Sequence, residues 1–147
     1  MKPLSLERTI HHPVRQNPFL MEFTLHATFP TTPDRLYHTW LDSKGHTAMT
    51  GGEASMMDQE GEAFTAWDGY IEGTNLALEP GRRIVQSWRT VEFADDEPDS
   101  RIEILLEATD QGTRLTLVHS DLPDHGAIYE QGWIDNYFEP MQAYFQD

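Results

Sequence analysis

The chain has no cysteine. That removes thiol catalysis, thiolate metal sites and disulfides, and it fits either redox compartment. Basic residues are scarce as well: 10 Lys and Arg stand against 25 Asp and Glu, a formal net charge of −15. Such a field repels phosphates and anionic lipid heads, which argues against nucleic acid and membrane surfaces as partners. Long apolar runs are missing too. The first 20 residues are interrupted by Glu7, Arg8, His11, His12, Pro13 and Arg15, so they contain no continuous secretory h-region, and no stretch approaches a membrane span. A soluble cytoplasmic protein is the expectation.

Motifs of the common enzyme classes are equally sparse. There is no Gly-x-Ser-x-Gly elbow, and Gly51-Gly52 lacks the Lys-Ser/Thr of a phosphate loop. His11 and His12 are adjacent and point apart in an extended arm, while His38 and His46 lie eight residues apart across a helix break, matching no ligand spacing. The acids around Glu53, Asp58, Glu60 and Glu62, and those at 95–99, lack the glycine-at-six calcium loop. No metal and no cofactor is expected.

What is present reads as one domain, since 147 residues bury roughly 70% of the surface of their unfolded chain without any staple. Residues 1–20 hold Pro3, Pro13 and Pro18 and a weakly alternating piece at 4–10; they read as an extended arm ahead of a domain at 21–147. The charge is uneven: residues 1–46 carry five basic and four acidic side chains, and the rest five basic and 21 acidic.

From Met21, the alternation of Phe23, Leu25, Ala27 and Phe29 with polar residues predicts a half-buried strand. Thr32, Pro33 and Asp34 then open a short helix to about Leu41 as cap, first-turn proline and dipole-matched acid. Asp42-Ser43 and Gly45 mark a break or a second short helical turn. Turn signals punctuate the strands that follow. Asp68-Gly69 predicts a two-residue type I′ hairpin, Pro80-Gly81 the centre of a type II turn, and Asp110-Gln111-Gly112 a short hairpin loop. The longer connection at 93–100 reads as a solvated acidic loop. A terminal helix capped at Asp124 aligns Tyr129, Trp133, Tyr137, Met141 and Tyr144 on one stripe. Pro140 cannot donate to the carbonyl of Asn136, which predicts a kink or a loosened turn there. Strands followed by a helix indicate an α+β fold with the helix covering one face of an antiparallel sheet, and a bent sheet gripping one helix often leaves an apolar space between them.

Candidate ligand-binding residues in that space are Trp40, Met56, Phe64, Tyr70, Trp88, His119, Trp133, Tyr137 and Met141, with Trp67 also available; the alternative is that these residues are plain core. His119 shares a strand face with Leu115 and Leu117, so it either meets a ligand as donor or base, or is a structural histidine bonded to the following turn. On the strand 82–91, Ile84/Trp88 and Val85/Val91 compete for the interior, and Arg89 is either a surface residue or an anion anchor in the cavity. A His119 base assisted by Glu103 or Glu72 ranks last, because alternation places Glu103 opposite the face of Ile102, Ile104 and Leu106.

Four separated motifs resemble one family. Trp67-Asp68-Gly69-Tyr70-Ile71-Glu72-Gly73, Leu78-Glu79-Pro80-Gly81-Arg82 with Trp88-Arg89, Gly112-Thr113-Arg114-Leu115-Thr116-Leu117-Val118-His119-Ser120-Asp121-Leu122-Pro123, and Gly132-Trp133 are similar to the Aha-type domain (activator of heat-shock protein 90 ATPase, homologue-like). The resemblance covers about residues 21–146. It implies the START-like, helix-grip fold shared with polyketide cyclases and lipid-transfer proteins: a curved antiparallel sheet of six to seven strands around a long C-terminal helix, with two short helices after the first strand. Eukaryotic members carry this domain as the C-terminal part of a co-chaperone whose other domain has no counterpart in these 147 residues, so fold follows from the resemblance better than activity does. The leading expectation is non-catalytic binding of a small apolar ligand. The alternatives are a chaperone-associated interaction module and, last, a cyclase or hydrolase.

Overall fold

The computed structural model describes residues 5–9 and 20–146; Pro3, the His11-His12 pair, Pro13 and Pro18 lie outside them. The described residues form one seven-stranded sheet in the order β1-β2-β7-β6-β5-β4-β3, every neighbour antiparallel. The strands are β1 (Ser5–Thr9), β2 (Met21–Phe29), β3 (Ala63–Ala66), β4 (Ile71–Glu79), β5 (Arg83–Thr90), β6 (Ser100–Thr109) and β7 (Gly112–Leu122). Register shifts between Met21 and Phe23 on β2 and between Asn75 and Ala77 on β4 add local twist, which bends the sheet into a grip.

Two short helices, α1 (Pro33–Trp40) and α2 (Ser43–Thr50), connect β2 to β3. Thr32 accepts from the Arg35 amide at 3.1 Å, and Pro33 fills the first turn as its fixed φ allows. Asp42 caps α2 through the Gly45 amide at 2.8 Å, and Gly51 ends it in the left-handed region. The expected break at Asp42 is therefore a change of helix.

The chain ends in a continuous helical run: a 3₁₀ turn Asp124–Ala127, α3 (Ile128–Trp133), a π turn Ile134–Phe138 and α4 (Glu139–Tyr144). The π turn is the loosened turn expected from Pro140. With no N–H at 140 to serve Asn136, the register opens by one residue, and the Glu139 amide reaches the Ile134 carbonyl five residues back. The expected Asp124 cap is not made: Pro123 precedes the 3₁₀ turn, and no side chain accepts from its amides.

Between sheet and helix lies an aromatic core. Phe23, Leu25, Ala27 and Phe29 of β2 are buried with Ile102, Ile104, Leu115 and Leu117, and the helix lays Trp133, Tyr137, Phe138, Met141 and Phe145 upon them. On β5, Ile84 and Trp88 join this core; Val85 is buried as well but outside that cluster, and Val91, past the end of the strand, is 73% exposed. Arg89 does not line the cavity. Its guanidinium donates to Asp99 at 2.8 Å and to the carbonyls of Ala94 and Glu97, and lies over Phe93. Glu97 accepts from the Ala94 amide and from His125, and those bonds hold its carboxyl below the usual range. The loop between β5 and β6 is thus ordered around Arg89 rather than simply solvated.

Candidate functional site

A cavity of about 350 Å³ lies between β4, β5, the β3–β4 loop and the C-terminal helix. The helix contributes two adjacent stripes four residues apart, Tyr129/Trp133/Tyr137 and Ile128/Gly132/Asn136. From the sheet side come Trp88, Ile71, Tyr70 and Trp67. Ile128 and Asn136 are exposed at the rim, so the space communicates with solvent. At Gly132 an added Cβ would meet nothing nearer than the Asn136 amide nitrogen at 4.0 Å, so the missing side chain is part of the volume.

Of the residues expected at a ligand site, Tyr70, Trp88, Trp133 and Tyr137 line this cavity, and Trp40, Met56, Phe64, His119 and Met141 do not. Trp40 forms the layer behind the wall, stacked on Tyr137 at 5.2 Å and on Trp133 at 6.3 Å, with its indole N–H directed to Gln86. Phe64 packs under Gly73, where any Cβ would strike both Phe64 and the Ser87 carbonyl. Met56 is tied through its backbone to Ser43, and Met141 is wholly buried in the core.

Of the two roles open to His119, the structural one fits, though its partners are Trp133 and Ser100 and not the following turn. It is wholly buried, and each ring nitrogen has a partner. Trp133 Nε1–H can only donate, so Nδ1 accepts it at 3.0 Å. Ser100 donates to the Trp88 carbonyl at 2.7 Å, so His119 Nε2–H donates to Ser100 Oγ at 2.9 Å. The chain from Trp133 to the backbone of β5 is complete with a neutral ring. Burial lowers the His119 pKa from 6.5 to about 3, because nothing nearby compensates the charged form. Glu103, the carboxylate weighed as its helper, is bound to Arg83 on the other face of the sheet.

A second buried histidine carries the opposite wall. His46 Nδ1 donates to the Trp40 carbonyl at 2.8 Å, which leaves Nε2 to accept the Tyr137 hydroxyl at 2.9 Å. Burial lowers its pKa to about 4 and raises that of Tyr137. Trp133 and Tyr137 thus turn their polar atoms away from the cavity, toward these two imidazoles. Near the mouth, Tyr129 Oη meets Thr90 Oγ1 at 2.6 Å and Glu92 Oε2 at 3.4 Å. Burial pushes both the Tyr70 and Tyr129 hydroxyls up, and the charge of Glu92 adds to the effect.

The remaining wall is strained. Between Ala66 and Ile71, which pair directly, Asp68 and Gly69 form the expected type I′ turn, with positive φ at both and the Tyr70 amide donating to the Trp67 carbonyl at 3.0 Å. Trp67 and Asp68 take φ of 50° and 59°, ahead of Gly69 at 86°, and a bulky residue in that region is a genuine outlier. Two anchors hold it. Asp68 is bonded to Glu53 through both its amide and its carboxylate, and the Trp67 ring covers Gly52 so closely that a Cβ there would overlap it. The loop thus serves the α2–β3 segment as well as the hairpin, and what goes beyond the type I′ turn is the positive φ of Trp67.

Residues 30–146 match the model of the family described as "Activator of Hsp90 ATPase homolog 1-like protein". The chain belongs to that family. Within the Activator of Hsp90 ATPase homolog 1-like family, it is 25% identical over 132 residues to the "Activator of 90 kDa heat shock protein ATPase homolog" of Dictyostelium discoideum, covering 88% of this chain and 34% of that one. It is 26% identical over 125 residues to homolog 1 of Homo sapiens, covering 84% and 37%. The chain therefore spans about a third of the length of these curated relatives. An HSP90 activator from Plasmodium falciparum superposes with a TM-score of 0.71 at 20% identity, over 86% of this chain and 95% of that one. CalU16 from Micromonospora echinospora gives 0.72 at 21%, over 98% and 85%. These likenesses show the shared helix-grip, START-like fold. Among the described residues no helix is long and apolar enough to cross a membrane.

Sequence reasoning left Ile71, Ile128, Tyr129, Gly132 and Asn136 out of the site. Positions 128, 132 and 136 are spaced four apart beside the apolar stripe. A mid-helix glycine next to a tryptophan was the available signal.

Proposed function

We propose that this domain binds a small, mostly apolar molecule without transforming it, in the cavity between the sheet and the C-terminal helix, as a cytoplasmic protein. The observation that supports this most is the open space at Gly132 among six aromatic side chains, of which Trp133 and Tyr137 have their polar atoms engaged behind the wall. A surface that offers mainly carbon and ring faces, with the Trp67 indole N–H and the Asn136 amide as its few polar points, suits a mostly apolar molecule. A catalytic role has less support, since the buried imidazoles are neutral and fully bonded. Native mass spectrometry of gently purified protein is the direct test. An adduct, or a rise in melting temperature with members of an apolar library, is expected; a bare mass together with no stabilising compound would refute the reading.

The names of the curated relatives favour a second reading, a chaperone-associated interaction module in which the acidic surface steers encounter. Complementary charge would act on the association rate and weaken as salt rises. The test is the ATPase rate of a 90-kDa heat-shock chaperone with and without this protein. A change that diminishes in high salt supports this reading, and no change together with no co-purification refutes it.

A further inference from the structure

We propose that the molecule held in this cavity is a small organic cation, an alkylammonium whose charge is dispersed over methyl or methylene groups. This rests on the ligand-binding reading above and names its chemical class. Six aromatic residues line the one space: Trp67, Tyr70, Trp88, Tyr129, Trp133 and Tyr137. No Lys, Arg or His lines it. Aromatic rings present negative π faces, and a cation set among several of them is attracted by their quadrupoles, more strongly when partly desolvated.

Two further features set the sign of the charge. Trp133 and Tyr137 spend their donors on His119 and His46, which leaves the neutral Trp67 indole N–H and the Asn136 amide, and no charged donor, to meet an anion. The exposed Glu92 carboxylate lies within 3.4 Å of the hydroxyl of Tyr129, one of the lining rings, so an acidic group stands next to the aromatic wall. The chain as a whole carries −15, so its long-range field concentrates cations and depletes anions near the opening. A primary ammonium would lose strong hydration on entry with few acceptors to replace it. A quaternary or heavily alkylated one is weakly hydrated and loses little, and its apolar shell fits the carbon-rich wall.

Phenyltrimethylammonium and tert-butylbenzene have nearly the same shape and differ in charge, so titrating both into the full chain separates charge from apolar fit. The cation is expected to bind about tenfold more tightly. Glu92→Gln should weaken the cation about threefold and leave the hydrocarbon unchanged. Equal or tighter binding of tert-butylbenzene would overturn the cation inference while leaving apolar binding intact, and failure of both probes would overturn both. Phosphocholine in the same titration distinguishes sources. Binding at least as tight as that of the phenyl cation assigns the site to a lipid head group, weaker binding assigns it to a free ammonium, and both agree with a cation cage.

Discussion

Replacing His119 by Gln removes the one group whose folded and unfolded protonation differ most. In the folded chain its pKa is lowered from 6.5 to about 3 by burial, so above pH 6.5 neither state carries the proton and its contribution does not vary. Below 6.5 the unfolded chain takes up a proton that the folded chain refuses, and stability falls as pH drops from 6.5 toward 3. The slope is about 1.4 kcal/mol per pH unit, so by pH 4.5 the wild type has lost roughly 3 kcal/mol through this residue alone. Gln titrates nowhere in that range. The variant is expected to be less stable at pH 7 by about 1–3 kcal/mol, because the Trp133 and Ser100 partners are disturbed, and the gap should close by roughly 3 kcal/mol at pH 4.5. Urea denaturation of both proteins at pH 7, 5.5 and 4.5 measures this, with imidazole nitrogen shifts confirming an Nε2–H tautomer that does not titrate. Parallel stability curves would refute the bonding scheme derived for His119.

Other perturbations test separate parts of the fold. Arg89→Ala should destabilise by about 1–2 kcal/mol and raise amide exchange across residues 93–99, because one guanidinium holds Asp99 and two carbonyls of that loop; unchanged exchange would show that the loop orders itself. Gly73→Ala places a Cβ 1.9 Å from the Ser87 carbonyl and should cost more than about 3 kcal/mol, read as loss of cooperative thermal unfolding; a near-native melting temperature would mean that β4 and β5 separate more easily than their register implies. His46→Phe should shift the Tyr137 ring resonances and lose about 1–3 kcal/mol by orphaning the buried hydroxyl, and unaltered Tyr137 shifts would remove His46 as the support of that wall.

Much of the fold could be read from local rules. The alternation of Phe23 to Phe29, the Thr32 and Asp42 caps and the Pro80-Gly81 turn, whose Arg82 amide reaches the Glu79 carbonyl, are each decided by neighbours within a few residues. Pro140 announced its π turn by the donor it lacks. The misread features depend on distant partners. Asp68-Gly69 makes the type I′ turn its dipeptide announces, but the positive φ of Trp67 just before it goes with the Glu53 bonds and the Gly52 surface. His119 lies on the inward strand face as expected, but Trp133 and Ser100, 14 and 19 residues away, decide that it is spent. His46 was dismissed as a metal ligand because its spacing to His38 fits nothing, and its role depends on Tyr137, 91 residues on.

The central claim is that the space beside Gly132 is where a small molecule sits, and filling that space while keeping the helix tests it most directly. Gly132→Ala should raise stability by about 0.5–1 kcal/mol through helix propensity and still bind; Gly132→Leu should project into the cavity, fold, and not bind. A ligand present at 100 times its dissociation constant adds about 2.7 kcal/mol, or roughly 5–10 °C for a domain of this size. The expected result is that shift in the wild type and in Gly132→Ala, and none in Gly132→Leu. An equal shift in all three would place the ligand elsewhere and contradict the account.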